Sequence, residues 1–133
     1  MKNMKMLVVA MFLLGALPLA MAADAAPPRV APADAKNHVG EAVTVCGKVV
    51  NAQIAKYGLK GHGKPVTFDL DQAEPNRVFY FLAFGTEAGG PEEAIAAYQG
   101  KQVCVTGKIT MPQPPPYMLI VDRAQIKIQP NAK

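Results

Sequence analysis

Few side chains in this sequence are equipped for covalent or metal chemistry, and they are scattered. There is no serine, so the only serine-type nucleophiles are a few threonines. The two histidines, His38 and His62, and the two cysteines, Cys46 and Cys104, lack the close ligand spacing of a zinc site. The run Asp69-Leu70-Asp71-Gln72-Ala73-Glu74 offers oxygen ligands of the kind a hard cation takes. On the outward face of a strand entering a turn, however, such acids read as solvated groups. The residues therefore predict no catalytic constellation, no metal site and no cofactor.

Binding chemistry is better represented. From Lys48 to Lys64 the chain carries Lys48, Lys56, Lys60, His62 and Lys64 without one acid, and Tyr57 lies among them. Lysines that track phosphates beside a ring that stacks a base are the elements of sequence-tolerant single-strand recognition. Arg77, Tyr80 and Tyr117 are further candidates for that role. The same lysines also serve plain solubility in a glycine-rich loop, and the spacing GLKGHGK is not that of a phosphate-binding loop. A second candidate surface lies in RVFYFLAFG, residues 77–85. Phe79, Phe81 and Phe84 are set against Val78, Tyr80 and Leu82. Both sets cannot point into one core, so the strand is either covered on both sides or presents an apolar patch to a protein partner.

These residues need a scaffold. Residues 1–22 have a charged start at Lys2 and Lys5, an apolar run from Met6 to about Ala20, and the small-x-small ending Ala20-Met21-Ala22. That is the pattern of a secretory signal peptide, with an apolar run short of the ~20 residues that span a bilayer. The expectation is a periplasmic or secreted protein with no membrane attachment after cleavage. About 111 residues remain, enough for one domain with one core. Without Lys2 and Lys5 the charge is 12 basic against 10 acidic residues, too balanced to argue for a nucleic-acid partner by itself.

Residues 23–31 read as a flexible leader, 32–128 as the domain, and 129–133 as a tail. PADAKNHVG, 32–40, has helix start and stop signals in order and predicts a two-turn helix. Alternation and β-branched or apolar runs bounded by turn residues predict strands at 42–55, 65–71, 77–85, 102–111 and 117–122, the third of them apolar on both faces. GPEEAIAAYQG, 90–100, predicts a helix, with Pro91 at its first position and Glu92 and Glu93 at its positive end. Five short strands with a helix between the third and fourth predict an all-β, five-stranded Greek-key barrel of the OB-fold type. The segments VGEAVTVCGKV, GKPVTFDLD, YQGKQVCVTGKI and VDRAQIKI, across residues 37–128, resemble small secreted bacterial OB-fold proteins. They are more distantly similar to nucleic-acid-binding OB-fold domains of the tRNA-anticodon type. The resemblance implies a binding module rather than an enzyme. It directs attention to weak single-stranded nucleic-acid binding through the 56–64 loop, with a protein or envelope ligand as the alternative.

One phrase occurs twice: VTVCGKV at 43–49 and QVCVTGKI at 102–109. Val43, Val45 and Gly47 match Val103, Val105 and Gly107, while the cysteine shifts by two places. In an OB barrel the first and fourth strands are antiparallel neighbours. Both cysteines then have outward parity, and an oxidising compartment with only two cysteines favours pairing. A Cys46–Cys104 disulfide is expected. The glycines are expected to suit sharp strand bends.

Overall fold

A computed structural model describes residues 15, 26–58, 63–85 and 90–130. The segment read as a signal peptide lies, apart from residue 15, outside the described residues. The strands are β1 (Arg29–Val30), β2 (Ala42–Ile54), β3 (Val66–Leu70), β4 (Tyr80–Ala83), β5 (Gln102–Thr110), β6 (Tyr117–Ile120) and β7 (Ile126–Ile128). An α-helix, α1 (Pro91–Tyr98), lies between β4 and β5 in the chain. β2 pairs antiparallel with β3 and with β5; β3 pairs antiparallel with β4; β4 runs parallel to β6; and β6 returns antiparallel to β5. The five strands β2, β3, β4, β6 and β5 thus close a barrel. β1 and β7 extend the wall beside β2 and β5, respectively.

β2 reaches both β5 and β3 because its register shifts between Val49 and Asn51. Residues up to Lys48 face β5, and those from Val49 onward face β3. A bulge bends a strand and strengthens its twist, which lets one strand turn the corner of a small barrel.

Period-two alternation fills the interior. Val43, Val45 and Val49 of β2, Phe68 and Leu70 of β3, and Val103 and Val105 of β5 are all fully buried. Phe81, Met118 and Ile120 complete the wall from β4 and β6. Phe68 stacks on Phe81 at 4.9 Å between centroids and meets Tyr98 of α1 edge-on at 5.7 Å. Tyr98 and Ala94, four residues apart on one helix face, are the buried side of α1. The helix therefore covers the barrel core with an aromatic plug rather than lying loosely outside it. Ile95, three residues before Tyr98, is only half-buried.

The repeated phrase becomes a pair of antiparallel neighbours. Thr44 faces Thr106, Cys46 faces Cys104, Gly47 faces Val103, and Gly107 faces Val43. The disulfide is present, with 4.0 Å between the two Cα atoms. It closes a separation of 58 residues and suits a protein that matures in an oxidising compartment. The threonine hydroxyls beside it are 2.8 Å apart. The glycines serve close approach rather than the bends expected of them. A Cβ on Gly47 would come within 2.8 Å of Asp71 Oδ1 and 2.9 Å of Pro32, and one on Gly107 within 2.9 Å of Met118 Sδ.

Several expectations are corrected. PADAKNHVG forms the expected short helix, but of the 3-10 type and over Pro32–Asn37, ending short of residue 40. Its bonds join Asp34 N to Ala31 O and His38 N to Ala35 O, the three-residue spacing of a tighter coil. Arg29 and Val30, read as leader, instead pair with Thr44 and Val45, and Pro28 O accepts from Thr44 N. The third strand of the barrel is Tyr80–Ala83 rather than 77–85. The closing segment RAQIKI divides into a 3-10 turn, Arg123–Gln125, and β7. Among the described residues no helix is long and apolar enough to cross a membrane.

Candidate functional site

The outward side of β3, β4 and β6 gathers most of the aromatic candidates. The register sets Asn51, Asp69, Tyr80 and Tyr117 in one row across four strands, with Gln53, Thr67, Leu82 and Leu119 in the next. Tyr80 and Tyr117, directly opposite on parallel strands, stack at 5.3 Å. The Arg77 guanidinium lies 4.5 Å from the centre of the Tyr80 ring. Guanidinium, ring and ring form one continuous stack on the barrel wall.

Asp69 holds this stack in place. Outward parity suggested a solvated acid, but the residue is fully buried. Its Oδ1 lies 2.6 Å from Arg77 Nε, and its Oδ2 accepts from Asn51 Nδ2 at 3.1 Å. Arg77 also reaches Glu74 at 3.2 Å. An unpaired buried carboxylate would be costly, so Arg77 must fold back over the sheet, and in doing so it covers Tyr80. Burial pushes the Tyr80 phenol above its usual range, opposed by the Arg77 charge. The remaining acid of the run, Asp71, accepts from the Lys48 amide at 2.9 Å and has φ 64°. Each carboxylate of the DLDQAE run thus has a protein partner, with Arg77 shared between Asp69 and Glu74. Among the described residues no three histidines, cysteines or acids are placed to hold a metal ion.

Two grooves border the stack. One, of about 460 Å³, is lined by Tyr57, Pro65, Leu82, Phe84, Tyr117 and Leu119 among others. Tyr57 is 84% exposed and Leu119 43% exposed. The other groove, of about 520 Å³, is lined by Lys36, Arg77, Val78 and the wall Pro114–Pro116. A third, of about 280 Å³, lies between Lys64 and the start of α1.

The sequence candidates are therefore divided. Tyr57, Arg77, Tyr80 and Tyr117 share this region. Lys56 and Lys64 are exposed near it, at the two ends of the β2–β3 connection. Lys60 and His62 lie outside the described residues. Lys48 belongs to the opposite wall, across from Gln102. The three phenylalanines are not an exposed patch: Phe79 and Phe81 are fully buried and Phe84 is 7% exposed. The outward set of that strand is Tyr80 and Leu82, both half-buried. Leu119 is absent from the sequence candidates, although it shares the parity of the tyrosine two places before it, and Leu82 enters there only as a member of the set opposed to the phenylalanines. The chain matches no protein-family model, no curated protein and no solved structure with which it was compared.

Proposed function

We propose that this chain is an exported, non-catalytic binding module of the OB-fold type, which receives an apolar or aromatic segment of a protein or envelope ligand. The barrel order and the parallel β4–β6 pair support that fold assignment. OB-folds bind on the face of their second and third strands and at the loops beside it; here those strands are β3 and β4. The observation that carries the reading is the 460 Å³ groove, where exposed Tyr57 and Leu119 flank Leu82 and the end of the tyrosine stack. Among the described residues none that lines it is charged. Pockets of this kind, apolar with a few polar tips, suit ligands that bury rings or aliphatic groups.

A second reading is weak single-stranded nucleic-acid binding. Tyr57 favours it, since its ring is the most exposed large hydrophobic surface among the described residues and has Lys56 beside it. Among the described residues the cation count disfavours it, because Arg77 is already matched by Asp69 and Glu74 and Lys48 lies on the opposite wall.

Selection of displayed peptides on the immobilised protein, followed by NMR shift mapping, tests the two readings together. The expected peptides carry aromatic or aliphatic residues, shift Tyr57, Leu82 and Leu119, and lose binding in Tyr57→Ala and Leu119→Ser. Oligonucleotide binding that weakens with salt, with the slope that phosphate contacts impose, and that disappears in Lys56→Ala/Lys64→Ala would select the second reading instead.

A further inference from the structure

The wall built from β1, β2, β5 and β7 has a different surface. Its outward residues are Arg29 of β1, Thr44, Cys46 and Lys48 of β2, Gln102, Cys104, Thr106 and Lys108 of β5, and Lys127 of β7. Four of them are cations and none is a carboxylate. Arg29, Lys48, Lys108 and Lys127 are all exposed. Among the described residues none of the four is in an ion pair. Two carboxylates stand at the border of this wall: Glu41, bonded to His38, and Asp71, which accepts from the Lys48 backbone amide.

Register fixes the arrangement. Each cation stands on a different strand and at a different level: Arg29 beside Thr44, Lys127 beside Cys104, Lys108 opposite Ala42, and Lys48 opposite Gln102. Strand spacing and rise make this a quadrilateral roughly 14 Å wide and roughly 20 Å long. It surrounds the disulfide and the threonine pair, which lock the two central strands together.

We propose that this face docks the protein on a membrane surface rich in anionic phospholipid headgroups. The inference is independent of the ligand assigned to the opposite wall. Long side chains spread over a strand face, with no ring among them and no part in any of the three grooves, do not form a single-strand channel. Such a channel needs stacking platforms and a concave track. A charged lipid surface needs neither. It rewards each lysine or arginine brought within a Debye length by about fivefold in partition. Docked in this way, the protein would turn the wall that carries the tyrosine stack away from the bilayer.

The test is co-sedimentation of the full chain with vesicles. One set is phosphatidylcholine alone; the other is phosphatidylcholine and phosphatidylglycerol in equal parts. The full chain is used for every variant, so the N-terminal apolar segment contributes equally throughout. The expected result is a gain in partition on the anionic vesicles that is reversed by salt. Lys48→Gln/Lys108→Gln/Lys127→Gln should lower that partition by about a hundredfold. Lys36→Gln/Lys56→Gln/Lys64→Gln, with the same change in net charge, should leave it near the parent value. All six lysines are exposed, so both triple variants should keep the parent far-UV circular dichroism. Equal loss in the two variants would overturn the assignment of a face, and equal partition onto both vesicle types would overturn the electrostatic docking. Capture of a single-stranded oligonucleotide by the Lys48, Lys108 and Lys127 side chains, without vesicle binding, would replace lipid with nucleic acid.

Discussion

The two walls of this barrel share one interior and use their outward positions in opposite ways. On the β2–β5 wall the outward residues pair directly across strands: threonine to threonine at 2.8 Å and cysteine to cysteine through sulfur. The cations around them stay in water. On the β3–β4–β6 wall the outward residues shelter one another. Tyr117 stacks on Tyr80, Arg77 lies over Tyr80, and Asp69 beneath is fully buried. The first wall is clamped covalently, and the cations around the clamp remain hydrated. The second is clamped by charge and is already partly dry before any ligand arrives. A partly dry, stacked surface loses less hydration and less side-chain freedom on binding, which is why we propose an apolar ligand there. A hydrated cationic surface acts at longer range and suits docking.

The clamps can be compared by removing each. The largest expected effect is on the first wall. Cys46→Ala/Cys104→Ala should lower unfolding stability by about 4 kcal/mol, the chain-entropy value for a loop of this size, measured by urea denaturation of each form. A loss below about 1 kcal/mol would show that this wall holds its strands without the cross-link. Next is the second wall. Asp69→Ala strands Arg77 with only the exposed Glu74 and should lose about 3 kcal/mol, together with the Tyr117 shifts that report the ring stack. The pair Asp69→Leu/Arg77→Met should recover most of that stability, since apolar replacement of a buried ion pair is often neutral. If the double variant were as unstable as the single, packing rather than charge would be organising this face.

The smallest effect is on pH dependence and should also be confined to the second wall. The Tyr80 phenol titrates above its ordinary value because it is buried, with Arg77 opposing. The folded chain therefore holds this proton longer than the unfolded chain does. Its stabilising contribution is whole below the ordinary tyrosine value, about pH 10, and is lost as pH rises through the raised value. Stability should fall more steeply above about pH 10 in the parent than in Tyr80→Phe. Identical alkaline limbs would show that the stack does not distinguish the two protonation states.

The first wall was more legible in the sequence than the second. Alternation placed Val43, Val45, Val103 and Val105 inside, and parity then brought Cys46 to Cys104. Asp69 has the same outward parity as the cysteines, and nothing local distinguishes it from a solvated acid. Its burial depends on Arg77 returning over the sheet from beyond the turn at Gln72–Asn76, which is a tertiary event. The loop lysines stood out because they are contiguous in the chain. The cations of the other wall did not, because strand pairing collects them from Arg29 to Lys127. Two of the four lie on short strands, β1 and β7, within segments whose own residues gave too little alternation to announce a strand.

The offset of the cysteines has a consequence for how β2 and β5 find each other. Because the phrase is repeated, its apolar pattern tolerates error. Shifted by two residues, Val45 would face Gly107, Gly47 would face Val105, and Val49 would face Val103. Every inward position would still be apolar or glycine, and side-chain parity would be unchanged. Hydrophobic burial alone therefore discriminates weakly between the correct ladder and its nearest mispairing. The sulfurs discriminate sharply. In the shifted ladder Cys46 would meet Thr106, Cys104 would meet Lys48, and no bond could close. In the observed ladder they are directly opposed. Oxidation thus proofreads an ambiguous repeat, and only the correctly aligned chain can be sealed.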